Sequence, residues 1–421
     1  MKKNPLIIAM ALAGAAGAAL AAPPTVDFSG YMRAGVGVNA RGGNQVCFGL
    51  AGADTKYRLG NECDYVIEPT FDAKLAEYEG SDWHVRFMPS VYKAWDAGQG
   101  AFIDSGSDAR NVGVGPDTLT TRFGQVYLYG DKISQLANGK LWAGRRFYNR
   151  LQTGINDQFL ENNDGNGAGL EDMDLGIGKL SVAFMMDPNY GIRDPLDPEG
   201  SSVNNNRFSL PIRMTGIQDM PNGELAIYVT PSKQLKSDDQ STGTAIAPAS
   251  QPSGLAVGAY QTLKGVILGG STLFGVKHDK QGESKNTRVV FQQGANFGAT
   301  AVDFITEYRV AKRAANAGNK WFTIGARTDT WLSGPFRFLV EAGHDQVKPE
   351  DGSDKLNMTK LTAALAASAG NEAGSRPTVR LFVTHAVWNE AARLNLSGNT
   401  KAIFGDKKAG TSIGVQAEAW W

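Results

Sequence analysis

Alternation of apolar and polar residues, carried in short segments along most of the chain to its last residue, constrains the fold more than any other feature of this sequence. In residues 26–39, Val26, Phe28, Met32, Ala34, Val36 and Val38 alternate with Asp27, Ser29, Tyr31, Arg33 and Asn39. Successive strand side chains point to opposite faces, so this pattern reads as a strand with one apolar and one polar face. It recurs in residues 64–75, where Tyr65, Ile67, Phe71, Ala73 and Leu75 oppose Asp64, Glu68, Thr70, Asp72 and Lys74. Residues 336–343 and 379–387 repeat it, with Arg337, Glu341, Arg380 and Thr384 on the polar side. In the final segment Ile413, Val415, Ala417, Ala419 and Trp421 oppose Ser412, Gln416, Glu418 and Trp420. Helical periodicity is nearly absent; its best candidate, residues 360–368, reads equally well as a strand of small residues.

The start of the chain says where those strands go. Lys2 and Lys3 precede an apolar run that ends in Ala19-Leu20-Ala21, the pattern of a secretory signal peptide cleaved after Ala21. Residues 22–421 then form one domain, within which no run approaches the roughly 18–20 apolar residues of a membrane-spanning helix. An exported all-β chain is either a soluble sandwich or a membrane barrel with its polar face inward. The terminal strand runs to the last residue and ends in an aromatic, as outer-membrane barrels do. The expectation is a transmembrane antiparallel β-barrel in the bacterial outer membrane, surrounded by its lipid, with long extracellular loops and short periplasmic turns. Residues 162–169, 199–206 and 236–254, rich in Gly, Ser, Asn, Asp and Pro, read as surface loops.

Charge excludes some functions. Lys+Arg and Asp+Glu are equal at 42 each, which argues against nucleic acid as a partner. Cys47 and Cys63, close together in an exported chain, favour one disulfide over a metal site. Closing a loop of that size stabilises by about 3 kcal/mol in the chain-entropy model, so the bridge pins a loop rather than the fold. The four histidines, His84, His278, His344 and His385, sit in no nucleophile motif, and neither a metal cluster nor a phosphate or dinucleotide fingerprint is present. The expectation is therefore a protein without enzymatic activity or cofactor.

Several segments resemble the maltoporin family of sugar-specific channels. The segment CFGLAGADTKYRLGNEC from Cys47 to Cys63 resembles the family's first long loop, and VDFSGYMR at residues 26–33 its mature start. WAGRRFYNR at 142–150, GAGLE at 167–171, KWFTIG at 320–325, SRP at 375–377 and the final Trp420-Trp421 follow in the same order. The resemblance implies 18 strands and a homotrimer. About 22 residues per strand and connection accommodates 18 strands of about 10 residues with their loops.

A sugar presents apolar C–H faces and an equator of hydroxyls, so a sugar channel needs aromatic rings to stack on and charged groups to exchange hydrogen bonds with. Charge-assisted bonds are worth about 1.5–3 kcal/mol each. The resemblance implies an aromatic slide at Tyr31, Trp420 and Phe274, with Trp95 as the ring contributed by a neighbouring subunit. It implies polar tracks at Arg33, Arg58, Glu68, Arg122, Arg150 and Asp157. Tyr31 and Trp420 also fall on the polar, inward face of their strands by alternation alone. The slide has gaps: Val66 and Gly374 stand where aromatics are expected, Gln152 where an acid is, and Phe159 where a tyrosine is. Tyr92, Tyr228 and Phe382, inward by alternation, are candidate replacements. The expected function is passive diffusion of maltose or maltodextrin-type oligosaccharides. A general diffusion porin, or a porin for another sugar such as sucrose, is the alternative.

Overall fold

The alternating segments become the staves of one closed wall. The computed structural model describes residues 25–94, 120–187, 207–234, 237–239, 244–246 and 253–421. Thr25–Asn39 pairs antiparallel with Asp64–Tyr78 on one side and with the last strand, Ala409–Trp420, on the other, so the sheet closes and leaves no edge. Of its 19 segments, Arg207–Ser209 and Ile212–Ile217 lie between the same two neighbours and make one strand broken at Leu210 and Pro211. The wall therefore has the expected 18 strands.

Its two faces are inverted relative to a soluble protein. Val36, Leu128, Val289, Leu365, Leu381 and Ile413 are exposed on the outside, whereas Arg33, Glu307, Glu341, Lys360 and Glu418 are buried inside. Solvation explains this: lipid takes the apolar outer face, and charges inside are paired. The small-residue segment near residue 364 is a strand, Leu356–Ser368, and its inward Ala364 and Ala366 leave room for Leu59, Leu339 and Phe382.

One end of the wall carries short turns, such as residues 79–80, 298–299 and 334–335; the other carries long connections, including residues 40–63, 147–164 and 389–408. Long connections mark the extracellular end. The expected loop at 162–169 is half strand, because Gly165–Asp174 begins inside it. Glycine serves there because a Cβ on Gly167 would lie 2.3 Å from the Phe184 carbonyl oxygen of the next strand. In the expected loop 236–254, Ser237–Asp239 and Thr244–Ile246 pair as a small hairpin, and Ser253 begins a wall strand. The expected loop at 199–206 and signal peptide at 1–21 lie outside the described residues.

Candidate functional site

Two of the long connections turn inward and fill part of the lumen. Residues 40–63 leave the first strand and fold down the inner wall. Phe48 packs on Trp388 and Phe404 at ring-centroid distances of 6.0 and 5.9 Å, and the Cys47–Cys63 disulfide closes the segment. Asn61 holds its shape by donating to the carbonyls of Phe48 and Tyr57 at 2.8 and 3.0 Å. Deeper, Tyr57 shares a hydrogen bond with Thr323 at 2.7 Å. Its ring occupies a notch at Gly325 and Gly343, which are register partners; a Cβ on either would come within 2.1 or 1.9 Å of the ring. Burial pushes the Tyr57 hydroxyl pKa well up. Leu59 donates its backbone N–H to Glu341 at 3.0 Å.

The second inward segment, residues 147–164, carries a hairpin, Leu151–Thr153 with Gln158–Glu161. Glu161 accepts from Tyr260 at 2.7 Å and from Lys277 at 2.8 Å, anchoring the hairpin to the wall. Ile155 and Leu160 pack with Tyr57, Tyr228 and Tyr260 in one buried cluster. The two segments meet: Arg58 approaches Asp157 to 3.4 Å, and its backbone N–H donates to the Ile155 carbonyl at 3.3 Å.

Below that junction the first and last strands present the charged and aromatic surface of the site. Tyr31 is the register partner of Trp420, and both face the lumen. The Tyr31 hydroxyl donates to Glu418 at 2.9 Å and accepts from Arg33 at 3.1 Å. Arg33 bonds Glu62 and Asp64, each at 2.6 Å. Glu62 also accepts from Arg58 at 3.0 Å, and burial pushes its carboxyl upward against the opposing pull of Arg58 and Arg33. Glu418 collects Arg376 at 2.6 Å, Arg380, and Arg58 at 3.5 Å. The Arg376 guanidinium lies 4.1 Å from the Trp420 ring centroid, and Trp420 stays 48% exposed to the lumen. A recess of ≈ 540 Å³ opens beside this group, lined by Arg58, Glu62, Arg327, Arg376, Glu418 and Trp420 among others. Such a surface offers one open aromatic face beside fixed donors and acceptors.

Placement of the other expected residues is mixed. Glu68 faces inward and accepts from Ser90 at 3.1 Å. Arg150 is turned to Asp164, at 2.8 Å, and lies over Phe147 and Phe159, so its donors are engaged within its own loop. Phe274 is a correction. Its neighbour Gly275 faces inward beside Tyr260, and Lys277 reaches Glu161 inside; Phe274 and Val276 therefore point outward, where Phe274 packs on Phe291 at 4.9 Å. It does not line the channel. Tyr228 and Phe382 face inward but are 8% and 3% exposed, covered by the inward segments, so neither offers an open stacking face. Trp95 and the side chains of Tyr92 and Arg122 lie outside the described residues. Sequence reasoning gave no role to Glu418, although alternation placed it inward beside Trp420. It also missed Glu62, Tyr57 and Arg376, which sit on connections without a periodic signal.

An 18-stranded barrel with an apolar exterior, a charged lumen and inward-folded loops defines an outer-membrane channel. Residues 26–421 match the model of the LamB porin family, and this chain belongs to that family. Its fold is similar to Acinetobacter baumannii OccAB1, at 7% identity over 94% of this chain and 96% of that chain, with a TM-score of 0.55. It is also similar to A. baumannii OccAB2 (11% identity, 94% and 98% covered, TM-score 0.53) and to the outer membrane protein opdK from Pseudomonas aeruginosa (11%, 94% and 99%, 0.51). At these identities the likeness concerns the fold alone. The chain is a porin of the bacterial outer membrane.

Proposed function

We propose that this porin is a sugar-selective, passive facilitator for maltose and maltodextrin-type oligosaccharides, acting as a homotrimer. The observation that carries the reading is the pairing of Tyr31 with Trp420 on the lumen wall, beside Arg33, Arg58, Arg376 and Glu418. The aromatic pair supplies a platform for the apolar face of a sugar ring, and the ion pairs beside it supply exchangeable donors and acceptors for its hydroxyls. The strand pairing and ion pairs around them fix these groups beforehand, so sugar binding orders little. Transport further requires that no single contact be strong enough to trap the ligand. Membership of the LamB porin family supports the same reading, as does the maltoporin-like segment between the two cysteines.

The test is ion conductance of the purified protein in a planar bilayer, titrated with maltotriose, maltohexaose, sucrose and a non-sugar control. Saturable block by the maltodextrins, weakened several-fold by Tyr31→Ala and by Trp420→Ala, is the expected result, because an aromatic contact contributes about 0.5–1.5 kcal/mol. Saturable block by sucrose alone would reassign the substrate. Steady current in every sugar would make this a general diffusion porin.

A further inference from the structure

Polar residues on the outward face of a barrel are costly unless something outside answers them. On the strands Ser271–Gln281, Ser284–Phe297 and Thr300–Lys312, the residues Lys280, Lys285 and Lys312 are direct register partners in one row. One row toward the membrane and further round the wall, Lys320 of Asn319–Ser333 and Lys348 of Phe336–Pro349 are also direct partners. Parity fixes the face. Lys277, Arg288 and Arg309, three residues from Lys280, Lys285 and Lys312, point inward to Glu161 or Asp54, so the three lysines point outward. Lys320 precedes the buried, inward Trp321, and Lys348 follows the buried Val347.

Like charges set directly opposite each other on a sheet destabilise it. Among the described residues no ion pair relieves these five lysines. Glu283, Glu350 and Asp351 stand in the adjacent turns without forming one, and only the Asp351 carboxylate is near enough to Lys348 to interact with its charge. The Lys348 ammonium donates to the Ser353 carbonyl at 3.0 Å, and four of the five lysines are exposed. Below them on the same strands lie Val276, Val289 and Tyr308, exposed on the apolar outer face. The lysines therefore stand roughly 7–13 Å beyond that apolar row, at about 3.3 Å per residue. They belong to the end with the long connections, which is the level of the outer-leaflet headgroups.

We propose that this lysine cluster is a docking site for a phosphate-bearing glycolipid of the outer leaflet. The phosphates sit among Lys280, Lys285, Lys312, Lys320 and Lys348, while the acyl chains lie on Val276, Val289 and Tyr308. Two features together specify the occupant. The cationic rows call for an anion with several negative charges, and the apolar row that follows one intervening row, His278, Thr287 and Val310, calls for one attached to acyl chains. A lipid phosphate meets both demands; a free anion meets only the first.

The test uses the full-length porin in detergent micelles, with lipid A and its dephosphorylated form as probes, and counts bound lipid by native mass spectrometry. The partner variant is Lys280→Gln/Lys285→Gln/Lys312→Gln, whose single-channel conductance checks that the barrel is intact. Retention of phosphorylated lipid A by the wild type, with at least about tenfold loss in the triple variant and in the dephosphorylated lipid, is expected, because each basic residue near an anionic surface adds to the attraction. Equal binding of the two lipids, or an undiminished triple variant, would overturn the proposal. Displacement of the lipid by millimolar inorganic phosphate would instead make the cluster a site for free anions, and would equally overturn it.

Discussion

Arg58 and Asp157, 99 positions apart in the chain, approach to 3.4 Å where the two inward segments meet. Arg58 is also within reach of Glu62 and Glu418, so one guanidinium joins both segments and the last strand. Removing it leaves Glu62 with Arg33, and Glu418 with Arg376 and Arg380, so the fold survives. Arg58→Ala should raise single-channel conductance and shift selectivity toward cations, since a fixed positive charge leaves the passage. If sugar hydroxyls exchange bonds with this guanidinium, the half-blocking sugar concentration should rise at least about tenfold, the equivalent of one charge-assisted bond. Unchanged reversal potential in a salt gradient would show that Arg58 does not border the ion path.

Gly343→Ala tests whether the first inward segment is held by shape. The new methyl would lie 1.9 Å from the Tyr57 ring, so Tyr57 must leave its notch and give up its bond to Thr323. Overpacking costs about 1–3 kcal/mol, and here relief comes from moving a loop rather than a strand. The barrel should still form while the segment at residue 57 shifts into the lumen or away from the wall. The reading is a change in single-channel conductance with unchanged heat stability of the barrel. The double variant Gly343→Ala/Tyr57→Ala, which removes the clash, should stabilise the altered conductance and make its noise small.

Legibility in the sequence followed periodicity. The strands at 26–39, 64–75, 336–343, 379–387 and 412–421 could be read with their faces, because a period of two leaves a direct trace of which side meets lipid. Tyr31 and Trp420 were placed correctly by that trace. Phe274 was assigned inward from family resemblance, although it shares parity with Val276 on an outward, apolar face; the local alternation held the correction. The inward segments left no such trace. Tyr57 and Leu59 acquire their positions from wall strands 266 and 282 residues away, at Thr323 and Glu341, while Glu62 is set by Arg33 of the first strand and by Arg58 of its own segment. Only a tertiary structure brings those partners together.

The connection between the last two strands carries its own titration. Asn389 caps the helix Glu390–Leu394 by accepting from the Ala392 N–H, and Glu390 accepts from Arg393 at 3.0 Å and pairs with Lys408 at 3.2 Å. Hydrogen bonds from Arg393, then Lys408, lower the Glu390 carboxyl from 4.5 to about 2. A folded pKa below the unfolded one contributes stability above the unfolded value and loses it as pH falls. The helix should therefore hold its contacts above pH 4.5 and surrender them between pH 4.5 and about 2. A carbon-13 titration of the Glu390 carboxyl should show a midpoint well below that of a free glutamate. In Arg393→Ala, which removes the first partner, the midpoint should move up; an unmoved midpoint would mean that the pair is not populated in solution.

The Cys47–Cys63 bridge spans 16 positions and closes the segment whose lower half reaches the wall through Tyr57 and Leu59. The bridge limits the freedom of the unfolded segment by about 3 kcal/mol in the chain-entropy model. None of the 18 wall strands depends on it, because the segment lies between the first and second strands rather than within either. Cys47→Ser/Cys63→Ser should accordingly fold into a heat-stable barrel. The loss should appear locally, as faster proteolysis or hydrogen exchange within residues 40–63 and as greater current noise, with the backbone amides of the wall unchanged. Failure of the double variant to form a barrel would show instead that the bridged segment is needed to assemble the wall, and the role of the disulfide would move from the lumen to folding.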